Sequence, residues 1–192
     1  MKRLQARVVA CRLCPRLVSY RERVAREKVR RYRDEPYWGK PVPSFGDPAA
    51  HLLIVGLAPA AHGGNRTGRI FTGDRSGDFL FQALFQAGFA NQPFARHRDD
   101  GLRLTNCYIT AVLHCAPPGN RPERSEMIAC RRYLVEEIRR LAAVRVVLAL
   151  GRIAFDGFLQ AWAQADRPLP APRPRFGHGS EAHLPGGVHL LA

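Results

Sequence analysis

Four of the five cysteines are spaced as metal ligands are. Cys11 and Cys14 form a C-x2-C pair, and Cys115 and Cys130 follow far downstream, separated from each other by fourteen residues. Such a pair on its own also fits a redox motif or chance. Cys115 follows a predicted strand just before Pro117-Pro118, and Cys130 lies on the inward stripe of the next predicted helix, so one fold can bring all four together. Four thiolates suit zinc or an iron-sulfur cluster. An odd cysteine count argues against a disulfide framework. The fifth, Cys107, sits in mid-strand and reads as a small buried hydrophobe.

The other residues with chemical potential lie in two loops. Gly56, Gly63, Gly64 and Gly68 make a glycine-rich stretch in which backbone can approach a base or a phosphate, although the residues of a Walker A phosphate cradle are missing. Phe71 is its only aromatic, placed either to stack on a planar ligand or to plug the core beneath. Asp74 is the first carboxylate after the strand, suited to stabilise positive charge and also, in Asp74-Arg75-Ser76-Gly77, to cap a helix. In the second loop Asn120 follows Pro117, Pro118 and Gly119, where a turn residue is expected and an amide can be presented.

These loops need elements to hold them, and the patterning supplies strands alternating with helices. Apolar runs at His51–Gly56, Leu104–Val112, Val144–Leu150 and Val188–Leu191 predict strands. Helical spacing appears in Phe79 to Ala87, stopping at Gly88, in Met127 to Leu141 with its start at Ser125, and in Ile153 to Trp162. Leu17 to Arg33 predicts a basic surface helix, and Pro36–Pro48 and Pro168–Pro174 predict loops. This alternation gives a parallel sheet covered on both faces. At 192 residues the chain is the size of one domain, with a net charge of +14 that suits a polyanionic partner. No apolar run reaches the length of a membrane span and no signal peptide is evident, so a cytoplasmic setting is expected.

From Gly56 to Asp74 the sequence strongly resembles the first active-site motif of family 5 uracil-DNA glycosylases. Tyr108 to Arg121 is similar to the second conserved block of families 4 and 5, and Cys11, Cys14, Cys115 and Cys130 fall where those families carry ligands of a 4Fe-4S cluster. Two departures separate the chain from family 4: no carboxylate precedes Asp74 in the loop, and position 111 is Ala where family 4 has an Asn that hydrogen-bonds uracil. Loss of that contact implies a wider substrate range.

The resemblance implies a three-layer α/β/α fold with a central, mostly parallel four-stranded sheet, one domain over residues 1–192. It implies a monomeric glycosylase of bacterial or archaeal type, working at the nucleoid, that flips uracil, hypoxanthine or xanthine out of duplex DNA and hydrolyses the N-glycosidic bond. Asp74 and Asn120 are the expected catalytic groups. Gly56, Ala58, His62, Gly63 and Phe71 are expected to line the base pocket, Arg66, Arg69 and Arg121 to meet phosphates, and the four cysteines to hold the cluster, with zinc as the alternative. The family's last motif, a His-containing segment, belongs after Leu191–Ala192, so the chain is expected to stop one element before it. Two other readings fit the same residues: a non-catalytic nucleic-acid-binding module with a metal site, and a family 4 enzyme confined to uracil.

Overall fold

The computed structural model describes residues 1–192. Its elements are α1 (Lys2–Val9), α2 (Pro15–Glu27), β1 (Phe45–Gly46), β2 (Leu52–Gly56), α3 (Gly64–Thr67), α4 (Arg75–Gln86), β3 (Cys107–Ala111), α5 (Arg124–Arg140), β4 (Val146–Ala149), α6 (Arg152–Gln164), β5 (Glu181–Leu184) and β6 (Val188–Leu191). The four apolar runs become β2, β3, β4 and β6, which pair in parallel in the order β3-β2-β4-β6. The expected count of four strands is corrected to six, because β1 and β5 add antiparallel edges beside β3 and β6. Neither edge carries an apolar run: β1 is two residues inside a proline-rich stretch, and β5 reads Glu-Ala-His-Leu.

Alternation along the strands divides the core between two faces. Leu53, Val55, Tyr108 and Val147 pack with α5 and α6, whereas Ile54, Ile109 and Cys107 pack with Leu80, Phe81 and Leu84 of α4. The result is a three-layer α/β/α arrangement. After β2 the chain adds β3 on one side and β4 on the other, so the connections leaving β2 and β3 diverge at a switch point. In open α/β sheets ligands bind in the crevice beyond the strand carboxyl ends at such a point.

Several boundaries differ from expectation for identifiable reasons. Helix α2 ends at Glu27 rather than Arg33 because Lys28 takes a positive φ of 52°. The segment beyond it folds back over the glycine-rich loop, where Trp38 N donates to Arg66 O at 2.8 Å and Gly39 N to Asn65 O at 3.0 Å. Helix α5 starts at a capping box formed by Glu123 and Glu126, not at Ser125. Helix α1 is eight residues, three of them basic, anchored by buried Leu4 and Val8, a pattern too short to stand out. No helix is long and apolar enough to cross a membrane.

Candidate active site

The loop leaving β2 is tied to itself. Thr67 Oγ1 lies 3.2 Å from Gly63 O, 3.3 Å from Arg69 O and 3.2 Å from Thr72 O, three carbonyls that compete for its single proton. Arg66, only 8 % exposed, donates to His62 O at 2.7 Å and Gly73 O at 3.0 Å, pairs with Glu35, and lies 3.9 Å over the Tyr32 ring. Arg69 forms a two-pronged pair with Asp100 at 2.8 and 2.7 Å, each side chain being 4 % exposed. Burial opposes ionisation of Asp100, but the Arg69 fork and the amides of Arg96 and Leu102 outweigh it and hold the carboxyl well below its usual range. Of the residues expected to meet phosphates, Arg66 lines a large groove beside Asp74 while Arg69 is paired inside the loop. Both guanidiniums are enclosed as internal clamps, because two carboxylates distant in sequence reach them.

These clamps position Asp74. It caps α4, its Oδ1 accepting from Gly77 N at 3.0 Å, and no protein donor meets Oδ2. A Cβ added at Gly63 would stand 2.1 Å from Oδ2, so this glycine leaves the space the carboxylate oxygen occupies. One oxygen fixes the side chain, the other lies against Gly63, and the residue lines a cavity. The two readings of Asp74, cap and reactive group, are geometrically compatible.

Across that cavity of about 390 Å³ stands Asn120, with His62 and Gly63 on the same lining. Asn120 has φ 56°, a left-handed conformation that asparagine tolerates, and its exposed amide makes no hydrogen bond within the protein. His62 Nδ1 is 2.9 Å from Tyr37 OH. Burial and then the neighbouring Arg66 push its imidazole below its ordinary pKa, favouring the neutral form. Gly56, Ala58 and Phe71 are not part of this lining. The Phe71 ring covers the end of β2, where a Cβ on Gly56 would come within 2.7 Å of its Cζ, and its backbone sits at φ 51°. A bulky residue in that region is strained and must be held by its surroundings.

Sequence reasoning missed a second groove. It opens from the same carboxylate, holds about 830 Å³, and is walled by Tyr32, Tyr37, Trp38, Arg75, Arg96 and Arg98 among others. Arg98 lies 4.6 Å over the Trp38 ring and Arg96 lies 4.8 Å over Phe94. The sequence shows no interleaving of aromatic and basic residues, but the fold creates it by laying residues 32–38 beside residues 94–98. Arg121 is exposed and meets no carboxylate.

Cys11, Cys14, Cys115 and Cys130 line one cavity, together with His114 and Tyr133. They come from the end of α1, the start of α2, the loop after β3 and the middle of α5. Burial pushes the Cys115 thiol up to about 12, with Arg21 pulling the other way, and raises Cys130 as well. No three of the four sulfurs lie within 4.8 Å of one another. Cys107 is separate, fully buried in the core under α4.

A family model described as the uracil DNA glycosylase superfamily matches residues 43–184. The chain belongs to the uracil DNA glycosylase superfamily. Within it, the chain is 51 % identical to a protein named Type-5 uracil-DNA glycosylase from Thermus thermophilus, over 96 % of this chain and 81 % of that one. A Type-5 protein from Mycobacterium bovis is 51 % identical over 98 % of this chain and 69 % of its own length. A Type-4 uracil-DNA glycosylase from Pyrobaculum aerophilum is more distant, 34 % identical over 62 % of this chain and 53 % of that protein. In this superfamily member the matched region contains both loops of the candidate site as well as Cys115 and Cys130.

Proposed function

We propose that this chain removes uracil from DNA by hydrolysing the N-glycosidic bond, opening base excision repair, and that it accepts other deaminated bases such as hypoxanthine and xanthine. The observation that carries this reading is the pinned carboxylate: Asp74 Oδ1 is bound at Gly77 N, and Asp74 shares one cavity lining with Asn120. Cleavage leaves positive charge on the sugar and negative charge on the departing base. An ionised Asp74 stabilises the first and orients the attacking water, whose proton it can accept. The Asn120 amide, free of protein partners, donates to the base or holds the water. Ala111, beneath the pocket, offers no side-chain amide to select for uracil, which supports the wider range.

The extruded nucleotide comes from a duplex held through its phosphates by Arg75, Arg96, Arg98 and Arg121, and a monomer suffices for this. Such a substrate sets the work at the nucleoid of a bacterial or archaeal cytoplasm. The four cysteines hold an iron-sulfur cluster in this reading. Four thiolates from four separate segments suit a multi-iron cluster, whose body is large enough to bridge them, with zinc as the alternative. When bound, the cluster clasps α1, α2, the loop after β3 and α5 together.

The test is single-turnover excision on duplexes carrying one uracil or one hypoxanthine. Asp74→Asn is expected to lower the rate by about 10- to 1,000-fold while duplex affinity holds. Excision by the variant at the parent rate would remove Asp74 from the chemistry.

A further inference from the structure

Helix α2 buries the stripe Leu17, Val18, Arg21 and Val24. Three of these are apolar, and the fourth is a guanidinium only 1 % exposed. An arginine keeps its charge at any pH the fold survives, so this cation must find an anion or stand uncompensated in the interior. The protein supplies almost nothing. Arg21 Nη2 reaches Cys11 O at 3.5 Å, and the nearest carboxylate oxygen, on Glu22, is 3.8 Å away and already held by Arg12 at 2.6 Å. The Nε and Nη1 groups of Arg21 have no partner at all.

The position of the side chain explains the deficit. Arg21 lies seven residues after Cys14, two helical turns on and on the same face, with Leu17 and Val18 between them lining the cysteine cavity. Four thiolates bring four negative charges, and a doubly positive four-iron core leaves two of them uncancelled. This excess sits in a cavity walled mainly by apolar residues, where charge is poorly screened.

We propose that Arg21 is the built-in countercation of the cysteine-bound group, setting its reduction potential and its retention. The inference rests on the iron-sulfur reading above. A positive charge next to the cluster favours the added electron, so removing it must make reduction harder. It also leaves the thiolates easier to protonate and the metal easier to strip.

The experiment uses the cluster-loaded protein, checked by iron and sulfide content, with Arg21→Gln and Arg21→Lys beside the parent. In redox titrations followed by visible absorbance, Arg21→Gln is expected to lower the reduced-to-oxidised ratio at a fixed applied potential by tenfold or more. For a one-electron couple that corresponds to about 59 mV. Loss of iron to a chelator should also quicken several-fold, and Arg21→Lys, which keeps the charge, should recover most of both effects. An unshifted potential in a loaded Arg21→Gln protein would overturn the proposal and spare the cluster. If the glutamine variant cannot be loaded, an Arg21→Lys protein that loads at the parent potential supports the proposal, and one that behaves no better than glutamine refutes it. A colourless parent carrying one zinc would overturn the iron-sulfur reading itself, and this proposal with it.

Discussion

The two loops that face each other across the cavity are built in opposite ways. Residues 57–74, after β2, are buried from Gly63 to Ile70, with two arginines and a threonine used as internal ties. In the loop after β3, Gly119, Asn120 and Arg121 are exposed, and the side chains of Asn120 and Arg121 are bound to nothing. The same residue type thus serves two purposes: Arg66 and Arg69 hold structure, whereas Arg121 is free to meet a ligand. One wall is made rigid so that a carboxylate stays in place, and the other keeps its donors available.

The largest effect should come from breaking the rigid wall. Arg69→Ala leaves Asp100 as an uncompensated buried charge and is expected to cost about 3–5 kcal/mol of stability, read from denaturant unfolding. Replacing both partners by apolar residues of similar size should cost far less. The pH dependence follows from the same pair. Because the folded-state pKa of Asp100 is depressed, its contribution is complete above about pH 4 and disappears as the pH falls through the depressed range. An Asp100→Asn protein whose acid unfolding is as steep as the parent's would contradict this.

Next in size is Gly63→Ala, which puts a methyl where Asp74 Oδ2 now lies. Excision should fall about as far as in Asp74→Asn, by about 10- to 1,000-fold, and the double variant should be no slower than either single one. Full additivity of the two losses would show that Gly63 acts elsewhere.

The open wall should respond more mildly. Asn120→Ala removes one hydrogen-bonding side chain and is expected to slow excision about tenfold with the melting temperature unchanged. Smallest of all, Arg121→Ala should weaken binding to every duplex alike and reduce the slope of log affinity against log salt by about one. A melting temperature that drops in either variant would mean this loop is as structural as its neighbour.

The contrast also explains what could be read from the sequence. Strands β2, β3, β4 and β6 announce themselves as apolar runs, and Asp74 is conspicuous as the first carboxylate after β2. The family is legible in the two motifs, and the match over residues 43–184 bears this out. Burial of Arg66 and Arg69 is not legible, because a charged residue among glycines looks solvated and each partner carboxylate lies 31 positions away. The need for glycine at position 63 is invisible until Asp74 is placed against it. Arg21 left a trace as a lone charge on the apolar stripe of α2, but among so many basic neighbours that segment reads as a solvent-facing helix.

Phe71 carries a consequence for how such a protein can diversify. Its ring fills the notch left by Gly56, and its carbonyl fills the one left by Gly77, where a Cβ would come within 1.8 Å. Each of the three residues is fitted to the other two, so a change at any one of them must be accommodated by the rest before it can persist. Drift in base preference therefore has few single-step routes on this side of the pocket. The freer ground is the opposite side, along residues 118–121, where substitutions meet solvent or a ligand before they meet the core.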